Sequence, residues 1–417
     1  MLDLEETLRT YADLTVHVGL NLQHGQRLLV IGPLANGGVS LEAAPLVRRI
    51  SESAYRAGAS FVETLWGDEA LQLTRFRLAP RESFDETSRW LGGALLQHVE
   101  AGDAVLSIYA NDPDLLKDED PAHIALVQRA TARGARPFRD CISRNATNWT
   151  IIAAAASEWA RKVFPESQPD VALARLWATI ARLCRLDESD PTAAWRTHLA
   201  ALDARKDRLN RRRYRALRYA GPETNLTIGL PDRHVWVSGQ STSLNGILFS
   251  ANLPTEEVFT LPHKDRVDGV VSSTKPLSYG GTLIEDFRVQ FSEGRIVHVT
   301  AAKGEDVLRA LVATDAGAAR LGEIALVPHG SPISKSGLLF YSTLFDENAA
   351  SHLAIGSAYK FTMADGDQMT DEDFEDAGGN RSAVHVDFMI GSGDLDIDGV
   401  LADGTTEPLM KSGEWAR

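Results

Sequence analysis

Two residues in one short run have the types and spacing of metal ligands. His385 and Asp387 lie in Ala383-Val384-His385-Val386-Asp387-Phe388-Met389-Ile390, an alternating segment. In a β-strand, residues two apart point to the same face. The spacing therefore aims one imidazole and one carboxylate at one point and turns Val384, Val386 and Phe388 the other way. That pair is half of a metal site on a stiff support. Three more carboxylates stand out by context: Glu256-Glu257 follows Asn252-Leu253-Pro254-Thr255, and Glu323 follows Leu321-Gly322. Burying charge in short apolar segments is costly unless something compensates it, and metal cations would do so. His352 lies in the run from Leu344 to Tyr359, which reads as a turn and then a helix of small residues over Ala349 to Ala358. On such a helix His352 and Tyr359 would share a face, two turns apart. From these residues alone two readings stand: a metal centre, or surface carboxylates with hydrogen-bonded histidines.

The elements that must carry these residues change character along the chain. Helical spacing over Leu4 to Asn21 precedes the apolar run Arg27 to Ile31, a buried strand. A helix over Leu41 to Ala57, a strand over Ser60 to Trp66, a further helix, a strand over Ala104 to Tyr109 and a helix over Ile124 to Arg133 follow. Alternation at this rhythm means βαβ units and a parallel sheet. Residues 150–218 are almost wholly helical in composition, and Gly221-Pro222 breaks that pattern. Short strands then dominate, at Leu226-Thr227-Ile228, Val235-Trp236-Val237, Val289-Gln290-Phe291 and Ile296 to Val299, with a helix over Glu305 to Thr314. The fold expected is α/β. An N-terminal domain, 1–220, has a parallel sheet and flanking helices, and a C-terminal α+β domain, 221–417, holds the candidate residues.

Bulk properties narrow the function classes. The 417 residues carry a formal net charge of −14, which disfavours nucleic acid and anionic membranes as partners. Only two cysteines, Cys141 and Cys184, occur, without a CxxC pair, so a reducing compartment fits. No window reaches the roughly 18 apolar residues of a membrane span. The opening segment through Leu14 is acidic and amphipathic, unlike a signal peptide. A cytoplasmic location is expected.

Three other motifs point to simpler readings. Gly32 to Gly38 follows a strand, but its glycine spacing matches neither GxGxxG nor a P-loop, so an ordinary strand-to-helix turn is expected. The basic run Arg205 to Arg215 lacks interleaved aromatics and reads as a solvated or interface helix face. Asp394 to Gly399 imitates a calcium loop, but Thr405 stands where an EF-hand needs Glu, so a strand entering a turn at Asp398-Gly399 is expected.

The sequence resembles the M29 metallo-aminopeptidases, the aminopeptidase T and aminopeptidase S group. The likeness is carried by Asn252 to Thr260, Leu321 to Pro328, Thr343 to Tyr359 and His385 to Gly391, and extends into the N-terminal half at Gly19 to Gln26 and Trp159 to Pro165. The resemblance implies five metal ligands, Glu257, Glu323, His352, His385 and Asp387, and an active-site tyrosine, Tyr359. It also implies two divalent ions per chain (zinc, cobalt or manganese), a homodimer and removal of N-terminal residues from peptide substrates. The strongly acidic segment from Asp365 to Asp376 sets this chain apart. It reads either as a solvated loop or as an attractor for the substrate ammonium or a basic first residue.

The expected chemistry is hydrolysis by a metal-activated water. Asp387 is expected to bridge the ions, Glu256 to accept the water's proton, and Tyr359 to donate to the developing oxyanion. One alternative is an M29-like metalloenzyme with altered chemistry, either hydrolysing a special amide or opening a dihydroxypyridine ring as an iron-dependent dioxygenase. Another is a binding protein that kept the fold.

Overall fold

The computed structural model describes residues 3–279 and 282–416. The chain packs as two compact units, Met1–Leu199 with Gln240–Thr255, and Ala200–Gly239 with Glu256–Arg417. The first is built on a parallel sheet of β1 (Arg27–Ile31), β2 (Phe61–Thr64), β3 (Ala104–Tyr109) and β4 (Trp149–Ala153), in the order β2-β1-β3-β4. Leu28 to Ile31 are all buried, as a parallel strand covered on both faces requires. The helix Ala44–Arg56 turns Leu46, Val47, Ile50, Ser53 and Ala54 inward at helical spacing and starts with a proline in its first turn. Gly38 has φ 140°, and a Cβ there would collide with Leu65 O, so that glycine lets two backbones cross.

Composition misleads at two places in this region. Within residues 150–218 the helices are Ser157–Val163, Pro169–Leu183 and Pro191–Arg212, but the segment begins in β4 and ends in the strand Ala216–Gly221. Alanine-rich sequence favours a helix locally, and pairing of Trp149–Ala153 along β3 overrides it. Val235-Trp236-Val237 makes a single isolated bridge, Val237 to Phe259, rather than a strand, because Asn210 Oδ1 takes the Trp236 N–H at 2.8 Å. The basic run is tied down by acids of its own unit, with Lys206 Nζ 2.7 Å from Asp203 and Arg212 2.9 Å from Glu407. Among the described residues no helix is long and apolar enough to cross a membrane.

Among the described residues, the second unit is built on two larger antiparallel sheets, with Leu277–Tyr279 and Thr282–Ile284 pairing separately. The larger has eight strands, running from the edge Arg295–Thr300 through Arg288–Ser292, Val267–Ser272, Thr224–Gly229, Ala216–Gly221, Asp396–Val400 and Thr406–Lys411 to Glu414–Trp415. Asp398-Gly399 therefore lies inside a strand, and the chain turns later, around Asp403-Gly404. The smaller sheet has β5 (Val258–Thr260), β6 (Leu321–Leu326), β7 (His352–Gly356) and β8 (His385–Met389) in sequential order. One core joins them: Ile228, Val267, Val289 and Phe291 of the large sheet cluster with Val258, Ile324, Leu326, Leu353, Ile355 and Phe388 of the small one. Strand alternation then leaves Glu323, His352, His385 and Asp387 on the opposite face of the small sheet.

β7 corrects the helix expected over Ala349 to Ala358. His352–Gly356 is a fully buried strand, paired with β6 on one side and β8 on the other. Two ladders of hydrogen bonds outweigh the helical preference of small residues. Gly356 ends the strand at φ 107°, where a Cβ would collide with Val384 O.

Candidate metal centre

The five residues that the resemblance implies converge on this face, in two groups of three. The candidate ligand atoms of Glu257, Glu323 and His352 lie within 4.8 Å of one another, as do those of Glu323, His385 and Asp387. Glu257 immediately precedes β5, Glu323 lies on β6, His352 opens β7, and His385 and Asp387 sit two apart on β8, as their alternation predicts. Across the register, Ala354 is opposite both Glu323 and Asp387. Its methyl leaves room between the two carboxylates, which is the use this site makes of small residues in β7. A bulge between Leu321 and Glu323 re-aims the strand next to the site.

Glu323 occupies the shared position. Its Oε1 is 3.6 Å from His352 Nε2 and its Oε2 is 3.6 Å from His385 Nε2. Asp387 contacts His385 at 3.4 Å and Glu257 contacts His352 at 3.3 Å. Glu323, rather than the Asp387 expected at the centre, is common to both groups: β7 lies between β6 and β8 and presents only Ala354 between Glu323 and Asp387, so the longer glutamate side chain reaches across it to His385 as well as to His352.

The donor set fits divalent cations. Each histidine ties Nδ1 to a backbone carbonyl, His352 to Ala350 O at 3.1 Å and His385 to Ser357 O at 2.7 Å. That arrangement orients Nε2 toward the carboxylates in the manner of a metal ligand. Asp387 Oδ1 is buried and takes part in no hydrogen bond. Burial pushes the Glu257 carboxyl up to about 8, with Glu323 and Asp387 adding to it against His352. Burial alone would lower His352, but Glu323, Glu257 and Asp387 outweigh it and raise the imidazole to about 9. His385 is likewise raised against burial, chiefly by Asp387, to about 10. Burial would raise Asp387, and His385 outweighs it to hold the carboxyl below its ordinary range. A group of buried acids that protonates its own histidines is short of positive charge, which cations supply.

Tyr359 stands beside the centre, on no helix shared with His352. Its ring is 4.8 Å from that of His385 and stacks on Phe361 at 5.2 Å. The residue is 37% exposed, yet burial, then Glu323, Asp387, Glu347 and Glu257, raise its phenol well above the ordinary value. Glu256 is buried, its N–H donates to Asn348 Oδ1 at 2.7 Å, and its charge acts on Arg205.

Glu347 is the residue the sequence reading passed over. It lies in the turn Glu347–Ala349 just before β7, and burial, then Glu257, Asp387 and Glu323, raise its carboxyl well above the ordinary range. The signal was present: Asp346-Glu347 is a pair of adjacent carboxylates between Leu344-Phe345 and Ala349-Ala350, as Glu256-Glu257 is a pair in a short apolar segment. The acidic segment, by contrast, is engaged with basic partners. Asp371 pairs with Lys360 at 2.9 Å and Arg381 at 2.6 Å, and Asp365 with Arg233 at 2.5 Å.

Comparison with known proteins gives the family. Residues 4–415 match the family described as thermophilic metalloprotease (M29). The chain is 47% identical over 412 residues to aminopeptidase 2 of Geobacillus stearothermophilus, covering 99% of this chain and 98% of that protein. It is 47% identical to aminopeptidase AmpS of Bacillus subtilis, with coverage of 99% and 98%. Among solved structures, wild-type AmpT from Thermus thermophilus superposes with a TM-score of 0.92 at 44% identity, covering 99% of each chain.

Proposed function

The chain belongs to the M29 metalloprotease family and is a metal-dependent aminopeptidase; within that activity we propose that it works with two divalent ions per chain. The observation that carries this reading is Glu323, whose two carboxylate oxygens face two separate histidines. Glu257, Glu323 and His352 would hold one ion, and Glu323, His385 and Asp387 the other. Ions held there supply a water of lowered pKa and polarise the scissile carbonyl. The chain's own residues do the rest. Tyr359, whose ring lies beside that of His385, donates a hydrogen bond from its phenol to the developing oxyanion. Two carboxylates compete to accept the proton of the attacking water. Glu256 is favoured by adjacency to Glu257, and Glu347 by its electrostatic coupling to Glu257, Asp387 and Glu323. Glu256→Gln and Glu347→Gln decide between them: the variant that keeps its metal and loses turnover identifies the base.

The ions are zinc, cobalt or manganese, and the protein is a cytoplasmic homodimer acting on peptides. Both cysteines are free and buried, which supports a reducing compartment. Metal analysis beside a screen of peptides and amino-acid amides, reading released amino acids, tests the proposal. Two ions per chain and chelator-sensitive release support it. A single ion at full activity, or release that survives complete chelation, overturns it. Sedimentation of the metal-loaded protein tests the dimer.

A further inference from the structure

The start of β6, the end of β7 and the start of β8 meet at one end of the small sheet. A single buried side chain, on the segment leading into β8, bonds both the end of β7 and the segment leading into β6. Asn380 is 3% exposed, and its Nδ2 donates to Gly317 O at 2.9 Å and to Gly356 O at 2.6 Å. Gly317 leads into β6 and Glu323, Gly356 closes β7, which began with His352, and Asn380 itself leads into β8, His385 and Asp387.

The same residue brackets one peptide unit. Its side chain holds the carbonyl of Gly356, and its own carbonyl accepts the N–H of Ala358 at 2.8 Å. Between them lies Ser357, whose carbonyl takes the Nδ1 contact of His385 at 2.7 Å. Tyr359 follows directly. A buried amide that donates twice to backbone carbonyls is costly to remove, because both acceptors are then left buried without partners.

We propose that Asn380 is a positioning residue for the metal centre, holding the Ser357 carbonyl that orients His385 and the turn that presents Tyr359. The inference rests on the reading of His385 as a metal ligand. It goes beyond that reading by assigning a role to a residue that touches neither the ligand atoms nor the substrate. Partners that orient a ligand contribute about 10- to 100-fold to metal affinity or activity.

The test uses the full-length protein and the variants Asn380→Ala and Asn380→Ser, the latter keeping one hydroxyl donor. Melting, ion content after dialysis, the chelator concentration that strips half the metal, and kcat and KM are measured for each. Asn380→Ala is expected to fold, to lose metal at about 10- to 100-fold lower chelator, and to fall in kcat with KM near the parent value. Asn380→Ser is expected to fall between. A variant that melts lower but keeps the parent's chelator resistance and kcat shows a purely structural role and overturns the proposal. If the alanine variant does not fold, the serine variant decides by the same outcomes. Failure of the two-ion reading is separate: it shows in the unsubstituted protein as one ion per chain, and the effect of Asn380 on that ion is still read.

Discussion

His352 Nε2 lies 3.3 Å from Glu257 Oε2, with both side chains buried. The same nitrogen is 3.6 Å from Glu323 Oε1, so one imidazole meets two carboxylates and no lysine or arginine is paired with any of them among the described residues. Glu323 repeats the arrangement toward His385. Removing the charge of Glu323 should therefore weaken both ions, whereas Glu257→Gln and Asp387→Asn should each weaken one. Ion content after dialysis checks this, and a Glu323→Gln variant that retains two tightly held ions removes Glu323 from the shared position.

Tyr359→Phe separates catalysis from packing. The ring keeps its stack on Phe361 and its place beside His385, so fold and metal should survive. Loss of one oxyanion donor costs roughly 3 kcal/mol, on the order of a hundredfold in kcat, with little change in KM. Wild-type turnover in this variant would leave Tyr359 a packing residue only.

The raised groups predict how chelator-treated protein responds to pH. His352 and His385 move from an ordinary 6.5 to about 9 and about 10, and Glu257 from 4.5 to about 8. A raised folded-state pKa contributes stability that is complete below the unfolded pKa and lost as pH rises through the folded one. Stability from the histidines is thus lost between about pH 6.5 and about pH 10, and from Glu257 between about pH 4.5 and about pH 8. Asp387, lowered, acts oppositely and only at acid pH. Melting temperature of the stripped protein should fall across the neutral-to-alkaline range, and metal binding there should release protons. A flat melting profile would contradict this assignment.

Neutralising Asp371, Glu372 and Asp373 should leave KM for basic substrates unchanged at low salt. Asp371 is committed to Lys360 and Arg381, and the Asp373 carboxylate accepts from the Thr370 hydroxyl at 2.7 Å. The expected effect is a loss of about 0–1 kcal/mol per exposed pair in stability. A rise in KM that disappears at high salt would instead assign the segment to substrate attraction.

Ala354→Leu tests the space between Glu323 and Asp387. The added side chain would stand on the site face of β7, opposite both carboxylates, rather than in the core between the sheets. Metal content should fall while the secondary structure persists. A variant that binds metal normally would show that Ala354 does not bound the site.

Local order in the sequence decided much of this protein. Apolar runs such as Arg27–Ile31 and Ala104–Tyr109 form strands where they are expected, because burial on both faces leaves them few alternatives. The alternation from Ala383 to Ile390 placed His385 and Asp387 on one face before any partner strand was known, since a period of two belongs to the strand itself. What the residues alone left open was whether the carboxylates meet at all, and only their resemblance to a family singled out five. Tertiary structure decided the rest. Ala349 to Ala358 is locally suited to a helix, yet β7 is a strand because β6 and β8 flank it on both edges. That placement put only the methyl of Ala354 between Glu323 and Asp387, so that Glu323 reaches across β7 and faces both histidines. Such positions depend on which strands become neighbours, and that is set by burial of the opposite face against the large sheet, a property of the whole second unit rather than of any segment within it.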